Sequence, residues 1–253
     1  MKRLHRRSAR VAERRFVVEG PQAVREALED GGLLELFTTD ADHPLARQAL
    51  AAGTEVVTVS AAVLGAMAET VTPQGLLGTA PLRAADLGAL TSARLVVVLE
   101  DVSDPGNAGT VIRTADAAGA DAVVLTAGSV DPHNGKCVRA TAGSLFHLPV
   151  VCGPSVAEAV AAARAAGLQV LATSGTASDD LDDLADAGAL AGPTAWLLGN
   201  EAAGLSPEAL ALADRSVRIP LHGRAESLNL ATAAAVCLYA TARAQRRADP
   251  LSP

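Results

Sequence analysis

Five side chains in three short stretches have the types and spacing to act on a polar substrate. The stretch "EDVSDPGNAGTVIR" carries Asn107 and, six residues later, Arg113. "WLLGNEAAGLSPE" carries Glu201, and "IPLHGRAESLNLATAAAVCLYA" carries Ser227 and Asn229. Amide, guanidinium, carboxylate and hydroxyl groups grip and orient the oxygens of a substrate. Each also has an ordinary structural use. Asn107 can cap a helix that begins near it, leaving Arg113 as a solvated helical residue. Glu201 can be a surface glutamate in a strand-to-helix turn. Ser227 is a good N-cap, and Asn229 would then sit within the first turn, where its helix propensity is poor. What lifts the set above these separate readings is convergence, because each stretch follows a strand and ligands of open α/β folds collect where strands end.

The elements that must position these residues follow from the apolar pattern. "LVVVLE" is a near-continuous apolar run, as expected of a strand buried on both faces of a parallel sheet. "NAGTVIRTADAAGA" then reads as a helix and "DAVVLT" as the next strand. Further strands are expected at "LPVVC", "LQVLATS", "TAWLLGN" and "SVRIPL". Helices are expected over about 135–142, 155–166 and 227–245, with a short one opened by Ser206-Pro207. The fold class is α/β, an open parallel sheet with helices on both faces. Upstream, residues 16–80 alternate "RFVVEG", a helix over Pro21–Glu29, "LLELFTTD", a helix over Pro44–Ala52, "EVVTV", a helix over Ser60–Ala68 and "GLLGTA". That is a smaller α/β layer domain. The expected division is 1–84 for this domain with its basic leader, 85–94 for a linker, and 95–247 for the larger domain. On this division, removing the first 84 residues should leave the larger domain folded.

Composition narrows the function classes. No apolar run among the 253 residues approaches the length of a membrane span, and the N-terminus lacks the apolar segment of a secretory signal. Cys137, Cys152 and Cys237 are odd in number and show no CxxC spacing, which fits a reducing cytoplasm and offers neither a zinc site nor a disulfide framework. No metal is expected. The loop after "LVVVL" lacks GxGxxG, which removes weight from a dinucleotide enzyme. Residues 1–15 hold seven Lys and Arg against Glu13, so the leader carries +6 and leaves −13 on the rest of a chain whose net charge is −7. Such a leader is either a solvated, disordered tail or a source of positive charge for a nucleic acid. Five Phe, Tyr and Trp residues in all disfavour an aromatic stacking platform for single-stranded RNA.

Taken together, "NAGTVIRTADAAGADAVVL", "LLGNEAAGLS" and "IPLHGRAESLNLATAAAVCLYA" resemble the three signatures of the SpoU (TrmH-like) branch of the SPOUT RNA methyltransferases, in order and spacing. "FVVEGPQAVREAL" and "TPQGLLGTA" are similar to that family's N-terminal substrate-binding domain, which resembles ribosomal-protein folds that bind structured RNA. The resemblance implies a trefoil-knotted C-terminal domain, a homodimer formed through it, and methyl transfer from S-adenosylmethionine to a ribose 2′-hydroxyl of RNA. Large-subunit ribosomal RNA is favoured over transfer RNA, and no DNA partner is expected. A non-catalytic RNA-binding or assembly factor on the same fold is the alternative of a different class. The resemblance places catalysis on Asn107, Arg113, Glu201, Ser227 and Asn229. It places the cofactor against Thr173, Ser174, Gly175, Gly199, Asn200, Gly204, Ile219, Leu221 and Leu228.

Overall fold

The computed structural model describes residues 1–83 and 85–248. Ala84, the end of the expected first domain, lies outside them. Two compact units are formed, one from Met1–Arg83 with Asp131–His147, the other from residues 85–130 and 148–248.

The first unit is built on a four-stranded sheet in the order β1-β4-β2-β3, with β1 at Arg15–Glu19, β2 at Glu35–Thr38, β3 at Glu55–Thr58 and β4 at Leu76–Pro81. β4 runs antiparallel to both β1 and β2, and β2 runs parallel to β3. Gly78 faces Val18 on one side and Leu36 on the other. A Cβ there would lie 2.8 Å from the Glu35 carbonyl and from Leu33 Cδ1, so only glycine lets the neighbouring chain come so close. Helices α2 (Pro21–Glu29), α3 (Pro44–Ala51) and α4 (Ala61–Met67) stand where the sequence places them. Proline opens the first two, where its missing N–H costs nothing.

The basic leader is folded. A 3-10 turn at Lys2–His5 and α1 (Arg7–Glu13) precede β1, and Leu4 packs with Val17, Leu64 and Leu77. Arg10 is only 3% exposed. Its Nη1 donates to the Leu4 and His5 carbonyls, while Nε and Nη2 grip Asp131 at 3.1 and 2.6 Å. The reading of a disordered tail is therefore corrected, because burying a cation demands partners and this arginine has found them. The segment 131–147, which includes α6 (Gly135–Thr141), enters the same core. Phe16 stacks on Phe146 at 6.1 Å and tilts against His133 at 4.7 Å.

The second unit is a seven-stranded sheet, parallel throughout its pairings, in the order β7-β6-β5-β10-β8-β11-β9. Its strands are β5 (Leu95–Leu99), β6 (Ala122–Leu125), β7 (Val150–Cys152), β8 (Gln169–Thr173), β9 (Asp179–Asp180), β10 (Thr194–Leu198) and β11 (Arg215–Arg218). Alternate residues face opposite sides. Val96, Val98, Val170, Ala172, Ala195 and Leu197 pack with α7 (Val156–Ala165) and α9 (Pro207–Leu212). On β5 and β10 the alternate set (Leu95, Val97, Leu99, Trp196, Leu198) is equally buried, and α5 (Pro105–Ala118) and α10 (Leu230–Ala248) pack on these strands and on each other. Trp196 is wholly buried, and its indole N–H donates to Thr241 Oγ1 at 2.9 Å, which fastens α10 to the sheet.

Three local expectations shift. Residues 85–94 carry a 3-10 turn at Leu87–Leu90, whose Leu90 is buried in the α7-side core. The two-residue β9 and the helix α8 (Leu181–Asp186) after it follow a stretch too polar to announce a strand. The last helix starts at Leu230, three residues beyond the expected start, for a reason found in the site.

Candidate active site

The strand order reverses at the β5/β10 pair: β6 and β7 extend the sheet one way, and β8, β11 and β9 extend it the other. A crevice opens outside the carboxyl ends of strands at such a switch point. Asn107 follows β5 and Glu201 follows β10, so both stand at that crevice.

Helix α5 begins at Pro105, with Asp104 as its N-cap accepting from the Asn107 amide at 2.8 Å. Asn107 is therefore the third residue of the helix rather than its cap, and its side chain is released from capping duty. It turns instead to Glu201, donating from Nδ2 to Oε1 at 3.0 Å. Its Oδ1 accepts from Asn229 Nδ2 at 3.1 Å. Asn229 Oδ1 in turn accepts from the amides of Ala231 and Thr232 at 2.9 and 3.4 Å. Asn229 is thus the residue that caps α10. Ser227, expected in that role, sits exposed two residues upstream with no part in the cap. The expectation failed because serine and asparagine are near-equal caps and only the backbone turn decides between them.

This chain of bonds has one self-consistent orientation. A carboxylate only accepts, so Asn107 must present its NH2 to Glu201 and its oxygen to Asn229. Asn229 must then present its NH2 to Asn107 and its oxygen to the helix amides. Burial raises the Glu201 carboxyl, but hydrogen bonds from Asn107 and from the Glu201, Ser103 and Asp104 amides outweigh it, leaving the pKa below the ordinary glutamate value. Ser103 Oγ also donates to Glu201 at 3.3 Å. The anion is therefore the fixed end of the relay. Sequence reasoning missed Ser103 and Asp104, which offer no signal beyond their place in the same loop.

Arg113 stands one and two-thirds turns along α5 from Asn107, roughly 9 Å further up the axis. It is exposed and joins no ion pair among the described residues. The structure brings Asn107, Glu201 and Asn229 together, and leaves Arg113 and Ser227 outside their hydrogen bonds.

The residues expected around a cofactor fall on three adjacent strands. Thr173 ends β8 with Ser174 and Gly175 just after it, Gly199, Asn200 and Gly204 follow β10, and Ile219 and Leu221 follow β11. The turn after β10 is tightly made. Asn200 and Gly204 exchange backbone hydrogen bonds at 3.0 and 2.9 Å, and Asn200 Oδ1 accepts from the Ala202 and Ala203 amides. Asn200 Nδ2 donates to the Asp101 carbonyl at 2.7 Å, so this side chain is spent on shaping the turn. A Cβ on Gly199 would lie 2.2 Å from the Gly204 carbonyl carbon, which makes glycine obligatory there. Glu100, buried at the end of β5, accepts from the Ser206 amide and hydroxyl at 2.9 and 2.6 Å and so anchors the far end of the turn. Gly175 borders open space, and Leu221 is an exposed apolar side chain in the segment leading to Leu228. Backbone-lined loops with apolar side chains beside them suit a ligand that is part adenosine and part charged amino acid.

Residues 94–239 match the SpoU rRNA Methylase family. The chain belongs to that family. Residues 1–78 match the MRM3-like substrate binding domain. Among SpoU relatives, the chain is 36% identical over 240 residues to the 23S rRNA (guanosine(2553)-2′-O)-methyltransferase RlmP of Bacillus subtilis (strain 168), covering 94% of this chain and 92% of that protein. It is 34% identical to the 23S rRNA (uridine(2479)-2′-O)-methyltransferase of Streptomyces viridochromogenes, covering 95% and 86%. Among solved structures, the SpoU methyltransferase AviRb of Streptomyces viridochromogenes in complex with AdoMet superposes with a TM-score of 0.85 at 31% identity, over 98% of this chain and 97% of that one. The AdoMet-bound rRNA methyltransferase of Sinorhizobium meliloti gives 0.84 at 35% identity, over 98% and 93%. Among the described residues of this SpoU chain, no helix is long and apolar enough to cross a membrane.

Proposed function

We propose that the protein transfers a methyl group from S-adenosylmethionine to a ribose 2′-hydroxyl of large-subunit ribosomal RNA. The observation that carries the reading is the relay Glu201–Asn107–Asn229, which ties the three signature stretches together at the sheet's switch point. The family and the activities named for its full-length relatives point the same way. In this reading the loops at Thr173–Gly175, Gly199–Gly204 and Ile219–Leu221, with Leu228, hold the cofactor, which supplies a methyl carbon made electrophilic by a sulfonium.

What the chain must add is alignment of the attacking oxygen. One N–H of Asn107 and one of Asn229 are occupied in the relay, and the second N–H of each amide remains to hold the reacting nucleotide. Arg113 keeps its charge and its planar fork, so it grips an RNA phosphate and sets the ribose rather than taking its proton. Ser227 lies two residues from Asn229 and serves the same end of the site. Exposed Val236 and Tyr239 on α10 support a homodimer formed through that helix. A reducing cytoplasm is the place for an enzyme of ribosomal RNA.

The test is transfer of labelled methyl to an unmodified transcript of large-subunit ribosomal RNA, with 2′-O-methyl mapping of the product. One methylated ribose is expected. Cofactor binding without any transfer to ribosomal or transfer RNA would sink the enzymatic reading in favour of an assembly factor.

A further inference from the structure

The first unit contains a cavity of about 300 Å³, between the start of α2, the loop joining α4 to β4, and α6. That volume is at the low end of small-molecule sites. Its floor is Glu19, 8% exposed, whose carboxylate is fully engaged. It accepts from the Glu69 and Thr70 amides, the Thr70 hydroxyl and Arg139 Nη1. Ala23 and Ala142 give apolar wall, and Gln22, Thr72 and Gln74 stand exposed at the rim. Gln74 and Thr72 make no side-chain hydrogen bond among the described residues, so donors and acceptors of both kinds are offered to an occupant.

The charge decides the class of occupant. Arg139 is held by both Glu19 and Glu69, at 3.2 and 3.4 Å, so the immediate surroundings carry two carboxylates against one guanidinium. A phosphate is repelled by that balance. A flat, neutral group with a mixed donor and acceptor edge is not. We infer that this cavity receives an unpaired nucleobase of the RNA substrate, its edge read by Gln74 and Thr72 and its face laid against the apolar wall of Ala23 and Ala142. Sequence-specific recognition of RNA works on such splayed-out bases. Phosphates flanking the base would fall to the exposed cations Lys2, Arg6, Arg7 and Arg14 of the same unit. The inference rests on the proposal that RNA is the substrate, and it makes the first unit a selector of sequence rather than a general grip on RNA.

The test uses the full-length protein and a transcript of large-subunit ribosomal RNA, with Thr72→Ala/Gln74→Ala as the variant. Expected are a tenfold or greater weakening of RNA binding, an unchanged cofactor Kd, and an unchanged slope of log K against log salt, since no phosphate contact is lost. The wild-type protein with 4-thiouridine-substituted transcript should crosslink through residues 70–74. RNA affinity within twofold of wild type, or a loss that also lowers the salt slope, overturns the base pocket. If wild-type protein binds no ribosomal transcript, the substrate reading falls and the pocket with it. If it binds and the variant is unaffected, only the pocket falls.

Discussion

At the scale of single residues, Glu201 is held as an acceptor by Asn107, and in the proposed reaction it serves as an orienting anion rather than a proton carrier. Glu201→Gln should disturb it, because glutamine can present either oxygen or NH2 to Asn107 and no longer dictates which way the amide lies. The expected result is a 10- to 100-fold fall in single-turnover methyl transfer with cofactor affinity within a few-fold of wild type, the range seen when a supporting polar group is lost. Because the Glu201 pKa is lowered, its carboxylate persists at every pH above its unfolded value of about 4.3. The transfer rate between pH 5 and 8 should therefore show no acid limb from this group. Arg113 behaves differently. Arg113→Ala should abolish transfer and leave calorimetric cofactor binding unchanged, because its helix follows β5 while the expected cofactor loops follow β8, β10 and β11. Arg113→Lys should also be severely impaired, since the ammonium lacks the fork that holds two oxygens. A lysine variant at near wild-type rate would show that charge alone suffices.

At the scale of elements, α10 is held at both ends of its buried face. Asn229 caps it, and Thr241 receives the Trp196 indole N–H while donating to the Cys237 carbonyl at 3.0 Å. Thr241→Val keeps the shape and removes the acceptor, stranding a buried donor. The cost expected is about 1–3 kcal/mol, read from denaturant unfolding. The loss should appear as weaker hydrogen-exchange protection along α10. Burial without a base also pushes the Cys237 thiol up to about 12, so this cysteine is packing and not chemistry.

Across the whole molecule, the chain passes between its two units more than once, since 131–147 belongs with the N-terminal residues. Removing the first 84 residues would therefore not free an intact second domain. It would strip the cover from Cys137, Val138, Leu145 and Phe146, all buried in the first unit. The expectation of a clean division is revised on that ground. Arg10 is the most deeply buried of the charged links that join 131–147 to the N-terminal residues, beside Arg139 with Glu19. Arg10→Met should destabilise it by about 3–5 kcal/mol, leaving Asp131 without its guanidinium and the Leu4 and His5 carbonyls without donors. Burial raises the Asp131 carboxyl, but hydrogen bonds from His133 and Arg10 hold it far below the ordinary range. A depressed carboxylate contributes stability that is complete above its unfolded pKa, about 3.9, and is lost as pH falls further. Hydrogen exchange over 131–147 should show that loss in the wild type between pH 4 and 2, and a smaller loss in Arg10→Met, where the hydrogen bonds from His133 still lower the Asp131 carboxyl.

Much of this was determined by the sequence alone. The period of apolar residues fixes strands and helices locally, so "LVVVLE", Pro21–Glu29 and Pro44–Ala52 read correctly without any partner in view. The residue types at three strand ends were equally visible, because a side chain's chemistry travels with its letter. Tertiary structure decided the rest, and in each case the reason is that the deciding contact is remote in sequence. Whether Asn107 caps a helix or meets Glu201, 94 residues away, depends on β10 being inserted beside β5. Ser227 and Asn229 were interchangeable caps until the turn after β11 chose one. The leader's Arg10 looked like one more exposed cation, and Asp131, 121 residues on, made it part of the core. Periodicity reports which face of an element is buried. Only the packed chain reports which polar groups then find one another.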